Sequence, residues 1–208
     1  MPQVIEVTTY SLEELEPMAG RVYARALEQV RQQANAGGDY CSWISEYLQW
    51  RLEEEEIGTY TRGDWDYDRG YLYFSGDVDV RAFMAQKKLR GHYRAFWHLL
   101  KPGGVFDWTF HVDSEKSTDF GADFVDKYAD DLYRYSDLAE EEPARYALIL
   151  RQLAGVGDAL QEYLAELGSA LLTQMRAEID WRYSDDFAQQ EAEQLELRFL
   201  ANGDIFAA

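Results

Sequence analysis

The sequence predicts an α+β fold, an antiparallel sheet with several helices and a helix-rich C-terminal half. Three observations carry this. Runs with two-residue alternation lie at residues 57–68, 70–76 and 105–115. Apolar residues at helical spacing precede them, and helical spacing resumes from Pro143 onward. No internal repeat and no linker interrupts the chain, so residues 1–208 read as a single domain.

The elements follow in order. "VIEVTTY" (4–10) alternates enough for a short strand. Ser11 and Glu14 have the spacing of a capping box, and Pro17 limits the first turn, so the main helix is expected from near Glu16. Ala19, Val22, Ala26 and Val30 space its apolar face, beside Tyr23 and Leu27, and "NAGGD" (35–39) ends it. A second helix carries Trp43, Tyr47 and Trp50 on one side and runs into four glutamates, Glu53–Glu56, that oppose its macrodipole. Residues 57–68 and 70–76 form a hairpin turning near Arg69-Gly70. Residues 77–89 begin a helix capped by Asp77 or Asp79, and 91–104 continue or restart it up to Pro102-Gly103-Gly104. In 105–115, Phe106, Trp108, Phe110 and Val112 face one way, and Asp107, Thr109, His111 and Asp113 the other. Residues 123–135 are read as a strand beside 105–115, with a helix as the alternative.

Beyond Pro143, Leu160, Leu164, Leu167, Leu171, Met175 and Ile179 form a stripe, read as core or a helix–helix seam. Gly155 and Gly157 are expected to break or kink the part before it. Residues 183–196 form another helix capped by Ser184 or Asp185, and 197–207 form two short strands around a type I′ turn at Asn202-Gly203.

Composition bounds the function. Apolar residues make up 47% and aromatics 15%, enough for a real core, so this is no acidic disordered tail. Acidic residues number 39 against 20 basic ones, a formal charge of −19, which argues against nucleic acid or an anionic membrane as a direct partner. Cys41 is the only cysteine, so no intrachain disulfide forms. The opening "MPQVIEVTTYSLEELE" has no basic stretch leading into an apolar one, and no run approaches the ~18 apolar residues of a membrane span. The expectation is a soluble cytoplasmic protein.

Asp64, Asp66 and Asp68 alternate in "TRGDWDYDRG" (61–70). As a calcium loop begun at Asp64, the sixth position is Arg69 instead of Gly and the twelfth is Ser75 instead of a carboxylate, so no tight metal site is expected there. His92, His98 and His111 form no close ligand pair, though His111 shares a strand face with Asp107 and Asp113. Cys41 has no evident base nearby to make a thiolate. There is no nucleophile elbow, no P-loop and no dinucleotide fingerprint, and "KPGG" (101–104) is a helix stop. The reading is therefore no enzyme, no cofactor and no catalytic or metal residues.

Charge geography is more informative. Residues 39–80 hold eleven acids and three bases, and residues 107–142 hold twelve acids and three bases. Between them, residues 81–101 hold six bases and no acid: Arg81, Lys87, Lys88, Arg90, Arg94 and Lys101. Alternate strand residues lie about 6.6–6.8 Å apart on one face, an interval similar to that of successive phosphates on one nucleic-acid strand. The residues expected to imitate such a track are Glu53, Glu54, Glu55, Glu56, Asp64, Asp66, Asp68, Asp77, Asp79, Asp119, Asp123, Asp126 and Asp130, with Tyr and Trp between them as rigid contact area.

Three stretches also resemble a family of small acidic phage and prophage proteins. "YSLEELEPMAGRVYARALE" (10–28) resembles its opening, "RGDWDYDRGYLYFSGDVDV" (62–80) its central hairpin, and "EIDWRYSDDFAQQEAEQLELRFLANGDIF" (178–206) its C-terminal signature. "WDYDRGY" is bulkier than the family pattern. The resemblance implies a mobile-element origin, and some family members carry antitoxin-like labels. The expected function is a phage-type inhibitor, anti-CRISPR or antirestriction, that binds a basic nucleic-acid-binding host complex by DNA mimicry or by blocking its channel. The alternatives are an antitoxin-like protein masking a basic toxin and a small metal-dependent enzyme at the aspartate row.

Overall fold

A computed structural model describes residues 7–36, 41–54, 57–66, 69–89, 107–115, 121–135 and 138–206. The fold is α+β, with a three-stranded antiparallel sheet and a long helix in the C-terminal half. The chain forms two compact units, one from residues 41–174 and one from residues 1–40 with 175–208. Residues 91–104, expected to extend the helix begun at 77–89, lie outside the described residues, as do residues 4–6 of the expected first strand.

In the 41–174 unit the sheet consists of β1 (Gly58–Asp66), β2 (Tyr71–Asp79) and β3 (Asp107–Asp113), in the order β1-β2-β3. Its inner face is built from Leu72, Phe74 and Val78 of β2 and Trp108, Phe110 and Val112 of β3, all buried. Alternation fails at one point in β1. Tyr60 pairs with Gly76 and Arg62 with Ser75, so Thr61 is a bulge residue. That extra residue lets Tyr60 and Trp65, five apart, share the inner face, and it turns Asp64 and Asp66 outward. Gly76 permits the crossing, since a Cβ there would stand 2.1 Å from the Thr59 carbonyl oxygen.

Helix α3 (Trp43–Glu54) packs on the inner face through β1. The Tyr60 hydroxyl lies 3.0 Å from the Ser45 hydroxyl. The residues that α3 buries are Ile44, Leu48 and Leu52, whereas the aromatic row Trp43, Tyr47 and Trp50 runs along the outside, with Trp50 51% exposed. Glu53 and Glu54 lie within the helix as described, in its C-terminal part, where their charges oppose its dipole. Helix α4 (Val80–Gln86) starts directly after β2, capped by Asp79, which accepts hydrogen bonds from the Arg81 and Ala82 amides at 2.8 and 3.1 Å. Asp77 stays in the strand.

Residues 121–135 correct the expected strand, since they form helix α5 (Gly121–Tyr135). Phe124 and Tyr128 are buried four residues apart, and Phe124 meets the Trp108 ring edge-on at 5.1 Å. A strand would have sent residues an even number apart to one face, including Asp126 with Phe124. Helical spacing instead buries the aromatics and leaves Asp123, Asp126 and Asp130 exposed. The short helix α6 (Leu138–Glu141) follows.

Helix α7 (Pro143–Arg182) runs unbroken through Gly155 and Gly157, which corrects the expected break. Gly157 serves packing instead, because a Cβ there would lie 3.0 Å from the Phe124 ring. Gly168 does the same toward Val112, at 3.1 Å. The expected stripe is buried from Leu160 to Met175 and begins earlier, at Ile149, Leu153 and Val156.

In the other unit, Ser11 caps α1 (Leu12–Leu15) in a full capping box with Glu14. Pro17 has no amide hydrogen to continue that helix, so α2 (Gly20–Asn35) starts afresh at Gly20, later than expected. Helix α8 (Asp185–Gln194) is capped by Ser184, whose hydroxyl accepts from the Phe187 amide at 3.1 Å. Leu12, Leu15, Ala26, Leu27, Val30, Ala188, Ala192 and Phe199 form this unit's core. Among the described residues of the expected N-terminal strand, Tyr10 bridges Phe199, and Phe199 also bridges Ile205. The turn between them is not type I′. Gly203 has φ +87° while Asn202 keeps negative φ, and Leu200 both accepts from the Gly203 amide and donates to the Asp204 carbonyl. That is a three-residue loop closed by a left-handed glycine.

Two helices end in the same uncommon way. After α4, the Leu89 amide bonds the Met84 carbonyl and the Lys88 amide the Ala85 carbonyl, with Lys88 at φ +55°. After α8, the Leu197 amide bonds the Ala192 carbonyl and the Glu196 amide the Glu193 carbonyl, with Glu196 at φ +50°. Both are Schellman endings with a side chain where glycine is usual.

Candidate functional site: the outer face of the sheet

Register fixes which side chains share the outer face. Thr59, Asp77 and Thr109 form one cross-strand row, Arg62, Ser75 and His111 the next, and Asp64, Tyr73 and Asp113 a third, with Asp66 opposite Tyr71 beyond it. Thr59, Arg62, Asp64, Thr109 and His111 are exposed, and Ser75 is buried. The face therefore carries Asp64, Asp66, Asp77 and Asp113 around a central cluster of different chemistry.

That cluster is ordered. The Tyr73 hydroxyl lies 2.9 Å from His111 Nδ1, and the two rings stack with an interplanar angle of 17°. The Arg62 guanidinium sits 5.4 Å from the centre of the Tyr73 ring, within cation–π range. Ser75 donates to the Arg62 carbonyl. The aspartates are partly committed. Asp77 accepts from the Thr109 hydroxyl at 2.6 Å, Asp66 from the Arg69 amide at 3.1 Å, and Asp113 from the Glu115 amide at 3.0 Å. These bonds hold the carboxylates in place on the face. Such a face can receive cations and hydrogen-bond donors in a fixed pattern.

The thirteen acidic residues read as a phosphate track fall into separate groups. Asp64, Asp66 and Asp77 share the outer face, and Asp79 sits at its end as the α4 cap. Glu53 and Glu54 are exposed at the end of α3, and Asp123, Asp126 and Asp130 along α5, two helices that pack on the opposite, inner side. Glu55, Glu56, Asp68 and Asp119 lie outside the described residues, as do His92 and His98. Cys41 is buried. Sequence reasoning did not bring Arg62 and Tyr73 to His111. The signal was the odd separation of Tyr60 and Trp65, which requires a bulge if both are to point inward.

Comparison with protein-family models, with curated proteins and with solved structures finds no match to this chain. Among the described residues, no group of three or more His, Cys, Asp or Glu side chains converges where it could hold a metal ion. No helix among them is long and apolar enough to cross a membrane.

Proposed function

We propose that this chain is a non-enzymatic binding protein that covers the nucleic-acid surface of a basic host protein or complex, as a phage-type anti-CRISPR or antirestriction inhibitor acting in the host cytoplasm would. The observation that supports this reading most is the outer sheet face, where the strand register gathers Asp64, Asp66, Asp77 and Asp113. Carboxylates on alternate strand positions repeat at about 6.6–6.8 Å, an interval suited to a lysine- and arginine-lined groove that grips phosphates. The stacked Tyr73 and His111 add rigid contact area in the middle of that charge. The net charge of −19 steers such a partner toward the chain from a distance.

The test uses purified nucleic-acid-gripping defence complexes as a panel. The wild-type chain should displace duplex DNA from at least one, with an affinity that falls as salt rises. An Asp64→Lys/Asp66→Lys/Asp77→Lys variant that remains folded should lose that displacement. Full displacement by the variant, independent of salt, would show that the acidity serves solubility alone. Binding confined to a single small basic toxin, without DNA competition, would favour the antitoxin-like alternative.

A further inference from the structure

The 1–40 and 175–208 unit contains a cavity of about 790 Å³, within the range of small-molecule sites. Its floor is apolar, made by Leu12, Ala192 and Leu197, of which Leu12 and Ala192 are buried. Its wall includes the Tyr23 hydroxyl, which accepts a hydrogen bond from the Gln189 amide at 2.7 Å and so ties α2 to α8. Four exposed carboxylates, Glu13, Glu16, Glu193 and Glu196, also line it, beside Ser11. Among the wall residues Arg198 alone is basic, and it is engaged with the Thr9 carbonyl at 3.4 Å and the Glu14 carboxylate at 3.9 Å.

We propose that this cavity binds an organic cation with an apolar stem, an alkyl-ammonium or alkyl-guanidinium group. The stem lies on the floor beside Tyr23, and the cation meets the glutamate rim. Location strengthens the charge argument. Glu193 lies in the last turn of α8, and Glu196 follows the helix as the left-handed residue of its Schellman ending. Carboxylates at a helix C-terminus oppose the macrodipole, so this end is electrostatically unfavourable until a cation arrives. Glycine would suit the backbone at 196 better, yet a carboxylate occupies it at the cavity wall. The site shares no residue with the sheet face, and its fate does not depend on the function proposed above.

Two sources can supply that chemistry, a free diamine or the Lys or Arg side chain of a basic polypeptide. Titration calorimetry on the full chain separates them, using diaminobutane, a blocked tripeptide with a central arginine, and butanediol as the uncharged control. The expected result is one saturable site for at least one cation and none for the diol. Binding of the diamine assigns a small-cation pocket, and binding of the tripeptide alone assigns an anchor for a basic polypeptide. A Glu193→Gln/Glu196→Gln variant should weaken the cation by about tenfold or more, as expected for losing charge-assisted contacts. Asp64→Asn/Asp77→Asn, on the sheet, should leave it unchanged. Glu196→Gly is the second variant. It relieves the backbone, so weaker binding by a protein at least as stable as wild type reports the carboxylate itself. No saturable binding of either cation, or equal binding by the Glu193→Gln/Glu196→Gln variant, would overturn the proposal.

Discussion

Lys88 and Glu196 occupy equivalent positions in two helix endings, both left-handed. The backbone cost of that conformation is shared, roughly 1 kcal/mol for a residue with a Cβ. The electrostatics are not shared, since a lysine complements a helix C-terminus and a glutamate opposes it. Glu196→Gly should therefore raise stability by about 1 kcal/mol or slightly more, and Lys88→Gly by less, as measured by urea denaturation. Glu14 gives a pH prediction at the same scale. The hydrogen bond its carboxylate accepts from the Ser11 backbone amide holds its pKa below the ordinary range; desolvation opposes this, and the Ser11 hydroxyl and Arg198 lower it further. A carboxyl whose folded pKa is lowered contributes stability above its unfolded pKa and loses it as pH falls through the folded value. The difference in melting temperature between wild type and Glu14→Gln should be largest near neutrality and should shrink below about pH 4.

At the scale of elements, α5 depends on Phe124, which is fully buried between Trp108 and Tyr128. Phe124→Ala should cost about 3–5 kcal/mol, read as a fall in the denaturation midpoint. The sequence made most elements legible because their periods were clean. The α7 stripe, the alternation of Trp108, Phe110 and Val112, and the caps at Ser11 and Ser184 were all visible. Residues 123–135 were not, because Phe124, Tyr128 and Tyr133 alone fit neither period cleanly and the strand beside them suggested a partner. Which side of α3 is buried was left open for another reason. Aliphatic Ile44, Leu48 and Leu52 and aromatic Trp43, Tyr47 and Trp50 both lie at helical spacing, and only packing decides which is buried. The candidate site was half legible. Single-strand alternation put Asp113 and His111 together, but cross-strand register and the Thr61 bulge, which bring Asp64, Arg62 and Tyr73 to them, are not written in any one segment.

For the whole molecule the net charge of −19 is decisive. Self-repulsion on that scale weakens the compact state, and salt screens it. Thermal stability should rise between about 0.05 and 0.5 M salt while partner affinity falls, giving opposite slopes in one titration. The chain alone should show no binding to duplex DNA at physiological salt in a fluorescence-polarisation assay. Of the bases in the 81–101 segment, Lys87 stands over the Tyr163 ring at 4.2 Å. A DNA signal abolished by Lys87→Glu/Lys88→Glu would relocate the contact to that basic segment. The chain crosses between the two compact units at 40/41, just after "NAGGD", and at 174/175 inside continuous α7, where no helix end marks the crossing.

Gly157 and Gly168 give α7 two notches on nearly one side, eleven residues or about three turns apart. One receives the Phe124 ring and the other the Val112 and Phe74 side chains. Together they work as a key with two cuts. A slide of α7 by one turn would set Leu164 or Leu171 at a position where even a Cβ crowds its neighbour at 3.1 Å, and a single cut could be bypassed by local repacking more easily than two. The helix is thereby held in axial register as well as in rotation. Gly168→Leu should fail to shift the helix to a new seat and should simply lose about 1–3 kcal/mol of stability by overpacking, with the same loss for Gly157→Leu.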